Sequence, residues 1–299
     1  MAKTARRCGG CILMLAAVCL GSACHRDQGQ SKDAAVVPIE TKPEPSSATQ
    51  PIDAKVQQAA YTPGNEAKSF KEATLQDAPD GATRPPDMTR AGKSVGKIYE
   101  LIVGPNGAGG LWDQVVFTTP EGKKIRYVAE VKTTLGSIHI EMLPHVAPNH
   151  VRNFLALARA GYYDGLAFDR VERQEVEGSA WAYLEAGCPL GTGDPGAGHI
   201  GYWLKPEFSD KVTHEEGTVG AWHPFRGEEA DPAGTKFYVT LCKAPWMDPY
   251  YTVFGKIVQG LDVAQAISRV KVSDKEEDLG RPIEPVLIRE IVVHATTLP

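Results

Sequence analysis

The sequence predicts a mostly β fold in which the strands close into a barrel. Several segments alternate apolar and polar residues with the period of two that a strand requires, whereas only two segments show clear helical spacing. Many strands with so few helices favour a closed barrel over a parallel sheet wound with helices. The composition, 42% hydrophobic and 23% charged, is that of a globular protein.

The strands are predicted from this alternation. Residues 138–142 and 237–241 alternate apolar and polar side chains most clearly. Two further strands are predicted over residues 251–258 and 286–293. Turn residues separate these segments, as expected for an antiparallel arrangement.

Two helices are predicted between the strands. The first begins at Pro148, a residue suited to a first helical turn, and stops at Gly161. Its apolar side chains share one face: Val151, Phe154, Leu155 and Ala158. The second is short, and we expect Asp262 to be its N-terminal cap.

The first residues have the layout of a secretory signal. Basic residues precede an apolar stretch over 12–20, and small residues then lead to Cys24. This layout resembles the lipobox of bacterial lipoproteins, although Gly21 stands where a leucine-like residue is usual. We therefore expect a signal peptide over 1–23 and a lipid on Cys24. An ordinary cleaved signal is the alternative.

Three more regions follow the signal. Residues 24–94 are polar and rich in proline, so they cannot bury enough apolar surface to offset their ordering entropy. We predict a flexible tether there. Short apolar runs broken by turns predict a β-hairpin extension over 95–126. The main domain is predicted over 127–297.

Several other classes of function are disfavoured. The net charge is −5, without the basic patch that nucleic-acid binding requires. Gly191–Gly196 fits a dinucleotide-binding glycine pattern, but no helix follows it. The histidine spacings match no zinc motif. Asp164 and Asp169 lie near turns and strand ends, where we expect solvation. Cys188 and Cys242 can pair or stay free.

A set of short motifs occurs in order between residues 127 and 293. They are Gly136-Ser137-Ile138, Ala147-Pro148-Asn149, Phe168-Asp169-Arg170, Gly234-Thr235-Lys236-Phe237-Tyr238, Trp246-Met247-Asp248 and Val253-Phe254-Gly255. Each is weak alone, but their order resembles the cyclophilin family. The resemblance implies an eight-stranded barrel capped by two helices. It also implies peptidyl-prolyl cis-trans isomerase activity in a surface groove, without a metal or cofactor.

The resemblance also implies roles for particular residues. Arg170 matches the catalytic arginine, and Tyr238 matches the aromatic residue of the proline pocket. The matching pocket wall consists of Trp246, Met247 and Tyr251. His223 stands where the family has an asparagine whose backbone grips the peptide.

An arginine suits this chemistry. Rotation about an X–Pro bond has a barrier of about 18–20 kcal/mol, which comes from amide resonance. No bond breaks, so no nucleophile is needed. A fixed donor that bonds the twisted proline nitrogen better than the planar amide lowers the barrier. The guanidinium is always charged and rich in donors.

The sequence departs from the family around this arginine. The pocket phenylalanine is replaced by Ala182, and we expect Tyr183 or Trp181 to fill the space. Two groove glutamines are replaced by Glu185 and Lys236. We expect Glu185 to hold Arg170 by a charge-assisted bond and to draw donors from the proline nitrogen, which predicts weakened activity.

Three functions remain open at the level of sequence. The first is an isomerase acting on X–Pro bonds of exported proteins, lipid-anchored in the cell envelope and facing the periplasm or the exterior. We expect a monomer whose partners are proline-containing polypeptides, with no nucleic acid and with membrane contact only through the lipid. The second is a peptide-binding or chaperone module without useful turnover. The third is an inert envelope protein.

Overall fold

The computed structural model describes residues 67–79, 81–176, 179–193, 198–223, 233–248, 250–275, 278 and 280–299. The predicted signal peptide, Cys24 and the predicted tether up to residue 66 lie outside the described residues. Within the described ranges, no helix has the length and apolar character needed to cross a membrane.

Eight strands form one antiparallel sheet in the described part of the chain. They are β1 (Ile125–Thr133), β2 (Ser137–Met142), β3 (Phe168–Val176), β4 (Ser179–Ala186), β5 (Thr218–Ala221), β6 (Phe237–Thr240), β7 (Val253–Gln259) and β8 (Ile288–Thr297). Their order in the sheet is β3-β4-β6-β5-β7-β2-β1-β8. A bridge between Ala167 and Leu287 brings the two ends of the sheet together. The prediction of a mostly β fold with eight antiparallel strands is confirmed.

In the described residues, three short helices precede the first strand and two more lie between later strands. They are α1 (Phe70–Ala73), α2 (Val95–Val103), α3 (Leu111–Gln114), α4 (Pro148–Arg159) and α5 (Leu261–Ser268), with short 3₁₀ turns at Pro105–Gly107 and Pro245–Met247. Helix α4 begins at Pro148, as predicted. It ends before Gly161, whose φ of +67° is the left-handed conformation that glycine adopts easily. Its side chains Phe154 and Leu155 are buried in the core.

The start of α5 corrects one prediction. The residue that precedes the helix is Gly260, in a left-handed conformation, so Asp262 lies in the first turn instead of capping it. A Cβ atom at Gly260 would lie 2.2 Å from the carbonyl oxygen of Ser137. The backbone therefore turns where only glycine fits, and this close approach to β2 fixes the helix start.

The predicted hairpin over 95–126 is wrong except at its end, where β1 begins. Helices α2 and α3 lie in this region and contact α4. Ile98, Ile102 and Trp112 are buried in the core. The spacing of the first two is helical, and contacts with α3 and α4 help to bury this face of α2.

The predicted tether is wrong for residues 67–79 and 81–94, which pack onto the main domain. The backbone of Lys68 donates to Asn149 Oδ1 at 2.9 Å, and its carbonyl accepts from Trp112 Nε1 at 3.1 Å and Arg152 Nη1 at 2.9 Å. Further along, Lys93 Nζ lies 2.8 Å from Asp164 Oδ2. This segment is held by hydrogen bonds to side chains of the main domain, which its own composition does not reveal.

Candidate active site

Four residues form one row across four neighbouring strands. Arg170 on β3 is opposite Glu185 on β4, which is opposite Tyr238 on β6, which is opposite Gly220 on β5. Directly opposite residues in an antiparallel sheet project from the same face. The predicted catalytic arginine and the predicted pocket aromatic therefore share one face of the sheet, with Glu185 between them.

The chain between Arg170 and Glu185 forms the outer part of the β3–β4 pair, which is still paired at Val176 and Ser179. Arg170 and Glu185 therefore stay opposite each other near the base of this pair.

Among the described residues, the carboxylate closest to Arg170 is that of Glu172, which the sequence analysis did not single out. Arg170 Nε and Nη2 donate to Glu172 Oε2 at 3.1 and 2.7 Å, whereas Arg170 Nη1 is 3.5 Å from Glu185 Oε1. Glu172 lies two residues along β3, so strand alternation places both side chains on one face. That alternation is the signal that could have identified Glu172.

An aromatic pair lies beside the guanidinium. The Trp181 and Tyr183 rings stack with centroids 5.3 Å apart, and Arg170 Cζ is 5.6 Å from the Tyr183 centroid. Alternation on β4 places Ala182 on the other face of the strand. The structure thus places the Tyr183 ring beside Arg170, and the replacement of the missing phenylalanine by Tyr183 or Trp181 stays a prediction.

Glu185 and Lys236, predicted as a paired replacement of two amides, are in direct contact. Lys236 Nζ lies 2.8 Å from Glu185 Oε2 and 3.5 Å from Asp169 Oδ1. The Lys236 side chain has no exposed surface, and its Nζ is 3.8 Å from the centre of the Trp222 ring. Burial alone would lower the pKa of Lys236, but the charges of Asp169 and Glu185 outweigh it and raise the pKa.

Asp169 corrects another prediction, because it is buried and not solvated. It is 1% exposed and accepts a hydrogen bond from the backbone of Cys188 at 3.0 Å. Burial raises the pKa of Asp169, although Lys236 opposes the shift. Cys188 and Cys242 are free thiols in the structure. We call Arg170, Glu172, Glu185, Lys236 and Asp169 the charged cluster.

Tyr238 belongs to a second, aromatic group. Its hydroxyl lies 2.6 Å from His214 Nε2, and His214 Nδ1 lies 2.6 Å from Asp248 Oδ1. Burial lowers the pKa of His214, and Asp248 opposes only part of the shift. The neutral imidazole of His214 donates from Nδ1 to Asp248, so its Nε2 accepts a hydrogen bond from the Tyr238 hydroxyl. A Cβ atom at Gly220 would lie 2.1 Å from that hydroxyl, so Gly220 provides the space for tyrosine.

Tyr251 packs against Tyr238. The centroid of its ring is 5.5 Å from that of Tyr238 and 4.3 Å from that of His223, on which it stacks. Tyr238 is only 1% exposed. The Tyr238 ring therefore lies beneath its neighbours and does not form an exposed wall of the pocket. We call Tyr238, His214, Asp248, Tyr251 and His223 the aromatic cluster.

The other predicted wall residues lie on the 3₁₀ turn before Tyr251. The carbonyl of Met247 accepts from the backbone N–H of Tyr251 at 3.2 Å, which fixes the start of the segment that carries the Tyr251 ring. Trp246, on the same turn, is 58% exposed. The predicted residues therefore occupy three settings: Arg170 with its carboxylates, Tyr238 with Tyr251 and His223, and Trp246 in solvent.

Comparison with known proteins identifies the family of the chain. The family described as "Cyclophilin type peptidyl-prolyl cis-trans isomerase/CLD" matches residues 128–293, more than half of the chain. The chain therefore belongs to the cyclophilin family.

Relatives of known name support the same assignment. The chain is 33% identical over 164 residues to peptidyl-prolyl cis-trans isomerase-like 3 of Gallus gallus, covering 54% of this chain and 93% of the relative. It is 34% identical over 181 residues to peptidylprolyl isomerase domain and WD repeat-containing protein 1 of Mus musculus. That match covers 59% of this chain but only 25% of the longer relative.

A solved structure is also similar. A cyclophilin type peptidyl-prolyl cis-trans isomerase of Cryptosporidium parvum aligns with a TM-score of 0.49 at 22% sequence identity. The alignment covers 56% of this chain and 98% of that structure.

Proposed function

We propose that this chain is a peptidyl-prolyl cis-trans isomerase in which Arg170 stabilises the twisted X–Pro amide. The observation that carries the proposal is the row that joins Arg170, Glu185 and Tyr238 on one face of the sheet. A donor, Arg170, and an aromatic ring, that of Tyr238, project from that face, which is the pair of groups that this reaction uses.

The physical argument concerns the proline nitrogen. In the planar amide its lone pair is delocalised, whereas in the twisted state it becomes a hydrogen-bond acceptor. A guanidinium fixed in advance stabilises the twisted state more than the planar one, so it increases the rate without covalent chemistry. The Arg170 side chain is 26% exposed, which leaves it accessible to a peptide.

A second candidate function is a peptide-binding module with little turnover. Two observations favour it: Glu172 and Glu185 both approach the Arg170 guanidinium, and Tyr238 is covered by its neighbours. Arg170 held by carboxylates and Tyr238 covered by its neighbours would reduce the rate of isomerisation more than the binding of an extended peptide segment.

A protease-coupled isomerase assay on an Ala-Pro peptide separates the two functions. We expect Arg170→Ala to lower kcat/KM by about 100-fold, which is typical of removing one fixed transition-state donor. Arg289→Ala, at an exposed position on β8, is the matched control and should leave kcat/KM unchanged. If wild type and Arg170→Ala both stay at the uncatalysed rate while the peptide still binds, the chain is a binding module.

We also propose that the domain acts as a monomer on exported proteins, held at a bacterial envelope membrane by a lipid on Cys24. The support is the basic start, the apolar stretch over 12–20 and the small residues before Cys24. Labelling of cells with an alkyne fatty acid should tag the wild type and not Cys24→Ala. Equal labelling of the two would contradict the lipid site.

A further inference from the structure

His214 connects two parts of the aromatic cluster. Its Nε2 lies 2.6 Å from the Tyr238 hydroxyl, and its Nδ1 lies 2.6 Å from Asp248 Oδ1. The His214 side chain has no exposed surface, whereas that of Asp248 is 24% exposed. The imidazole therefore lies inside the protein, between the buried Tyr238 and a carboxylate that reaches solvent. The family resemblance assigns no role to His214.

The buried position of the Tyr238 hydroxyl depends on this histidine. Gly220 leaves the space for the hydroxyl, since a Cβ atom there would lie 2.1 Å from it. Among the described residues, the hydrogen bond of the hydroxyl is the one to His214 Nε2. A buried hydroxyl that loses its partner is unfavourable, so it would draw the ring toward solvent. His214 therefore holds the Tyr238 ring in place.

The same residue restrains the 3₁₀ turn that carries Trp246 and Met247. Asp248 Oδ1 also accepts from the backbone N–H of His214 at 2.7 Å. The carbonyl of His214 accepts from the backbone N–H of Ala244 at 2.7 Å. His214 is thus bonded to the chain on both sides of the turn, and its position fixes the turn relative to the aromatic ring of β6.

Tyr238 in turn supports Tyr251. The two ring centroids are 5.5 Å apart and the planes are 86° apart, which is an edge-to-face contact. Tyr251 is partly exposed, whereas Tyr238 is covered. A peptide on this face of the sheet can therefore contact Tyr251, and a displaced Tyr238 ring would disturb the surface that a proline meets.

We propose that His214 is a positioning residue for substrate binding, which holds the Tyr238 ring and, through Asp248, the neighbouring turn in the arrangement that binds proline. The inference deepens the proposed function and rests on it. The pocket holds the proline ring in the planar and the twisted amide alike, so its disturbance weakens the binding of both. Loss of His214 should therefore raise KM and leave kcat nearly unchanged.

Kinetics of the full chain on an Ala-Pro peptide test this inference. We expect His214→Leu to raise KM about tenfold, the size expected when one buried hydroxyl loses its partner, and to change kcat by less than about twofold. A histidine needed only for overall stability would give the opposite result, because fewer folded molecules lower the apparent kcat and leave KM unchanged. His294→Leu, at an exposed position on β8, is the matched control and should behave as the wild type.

Two further variants make the test specific. Tyr238→Phe removes the group that His214 satisfies, so His214→Leu combined with Tyr238→Phe should have a KM within about twofold of Tyr238→Phe alone. Asp248→Ala is the milder variant, because this carboxylate is partly exposed. It releases the turn and should raise KM with or without Tyr238→Phe.

Three results would overturn the positioning role: an unchanged KM in His214→Leu, a raised KM that Tyr238→Phe does not lower, or an unchanged KM in Asp248→Ala. The dissociation constant of the same peptide, measured by NMR titration, reports on His214 without turnover. If the wild type does not accelerate exchange but His214→Leu weakens binding about tenfold, the isomerase proposal fails and the positioning role of His214 stands.

Discussion

The charged cluster and the aromatic cluster meet along one row of the sheet. Each contains a buried polar side chain, Lys236 in the first and the Tyr238 hydroxyl in the second, and the two side chains are stabilised in different ways. In the charged cluster, a buried lysine is balanced by Glu185 and Asp169, so several charges must be present together. In the aromatic cluster, the tyrosine hydroxyl needs one acceptor, His214, and one small neighbour, Gly220. A buried neutral polar group needs only one hydrogen-bond partner, whereas a buried charged group needs nearby charges of the opposite sign.

The largest expected effect comes from breaking the balance of the charged cluster. Lys236→Met leaves the carboxylates of Glu185 and Asp169 buried without their cation. We expect the free energy of unfolding to fall by about 3–5 kcal/mol, as for other buried ion pairs that lose one partner. Urea denaturation followed by tryptophan fluorescence measures this change.

Two companion variants sharpen this prediction. Lys236→Gln combined with Glu185→Gln restores both amides that the family resemblance implies, but it leaves Asp169 buried without a cation, so it should recover only part of the lost stability. Lys132→Met removes the exposed partner of Glu290 and should have a much smaller effect, because exposed ion pairs contribute little. A loss for Lys236→Met no larger than that for Lys132→Met would contradict the account of a balanced buried set.

A smaller effect is expected in the aromatic cluster. Tyr238→Phe removes the hydroxyl and leaves His214 Nε2 buried without its partner, which should cost about 1–3 kcal/mol of unfolding free energy. Activity should be retained, because the aromatic ring stays in place and only the buried hydroxyl is lost.

The matched control for Tyr238→Phe lies on the surface. Tyr250 is 57% exposed, so Tyr250→Phe should change stability by less than about 0.5 kcal/mol. Equal stabilities of Tyr238→Phe and Tyr250→Phe would show that the bond to His214 contributes nothing, and the difference between the two clusters would disappear.

The barrel was predictable because its signals are local. Alternation identified β2 and β6, apolar segments next to turns gave β7 and β8, and Pro148 and Gly161 marked the ends of α4. Strand alternation also puts Lys236 and Tyr238 on one face. The partnership of His214 with Tyr238 was not predictable, because it joins positions 24 residues apart through the fold of the sheet.

The N-terminal region was predicted wrongly for a physical reason. Residues 67–79 and 81–94 contain few large apolar side chains, yet they contact the folded domain through the backbone of Lys68, which bonds to Asn149, Trp112 and Arg152, and through the ion pair of Lys93 and Asp164. Composition measures how much apolar surface a segment can bury by itself, and it does not register polar groups supplied by a folded neighbour. Helix α2 was missed similarly, because its apolar side chains are buried through contacts with α3 and α4 that the local sequence does not show.

The most direct test of the central claim is the cis–trans exchange rate of an Ala-Pro peptide at equilibrium, measured by NMR with a catalytic amount of protein. Wild type should accelerate exchange, and Arg170→Ala should reduce the acceleration by about 100-fold while the peptide still shows binding shifts. Equal acceleration by wild type and Arg170→Ala would contradict the assignment of Arg170 as the donor to the twisted amide.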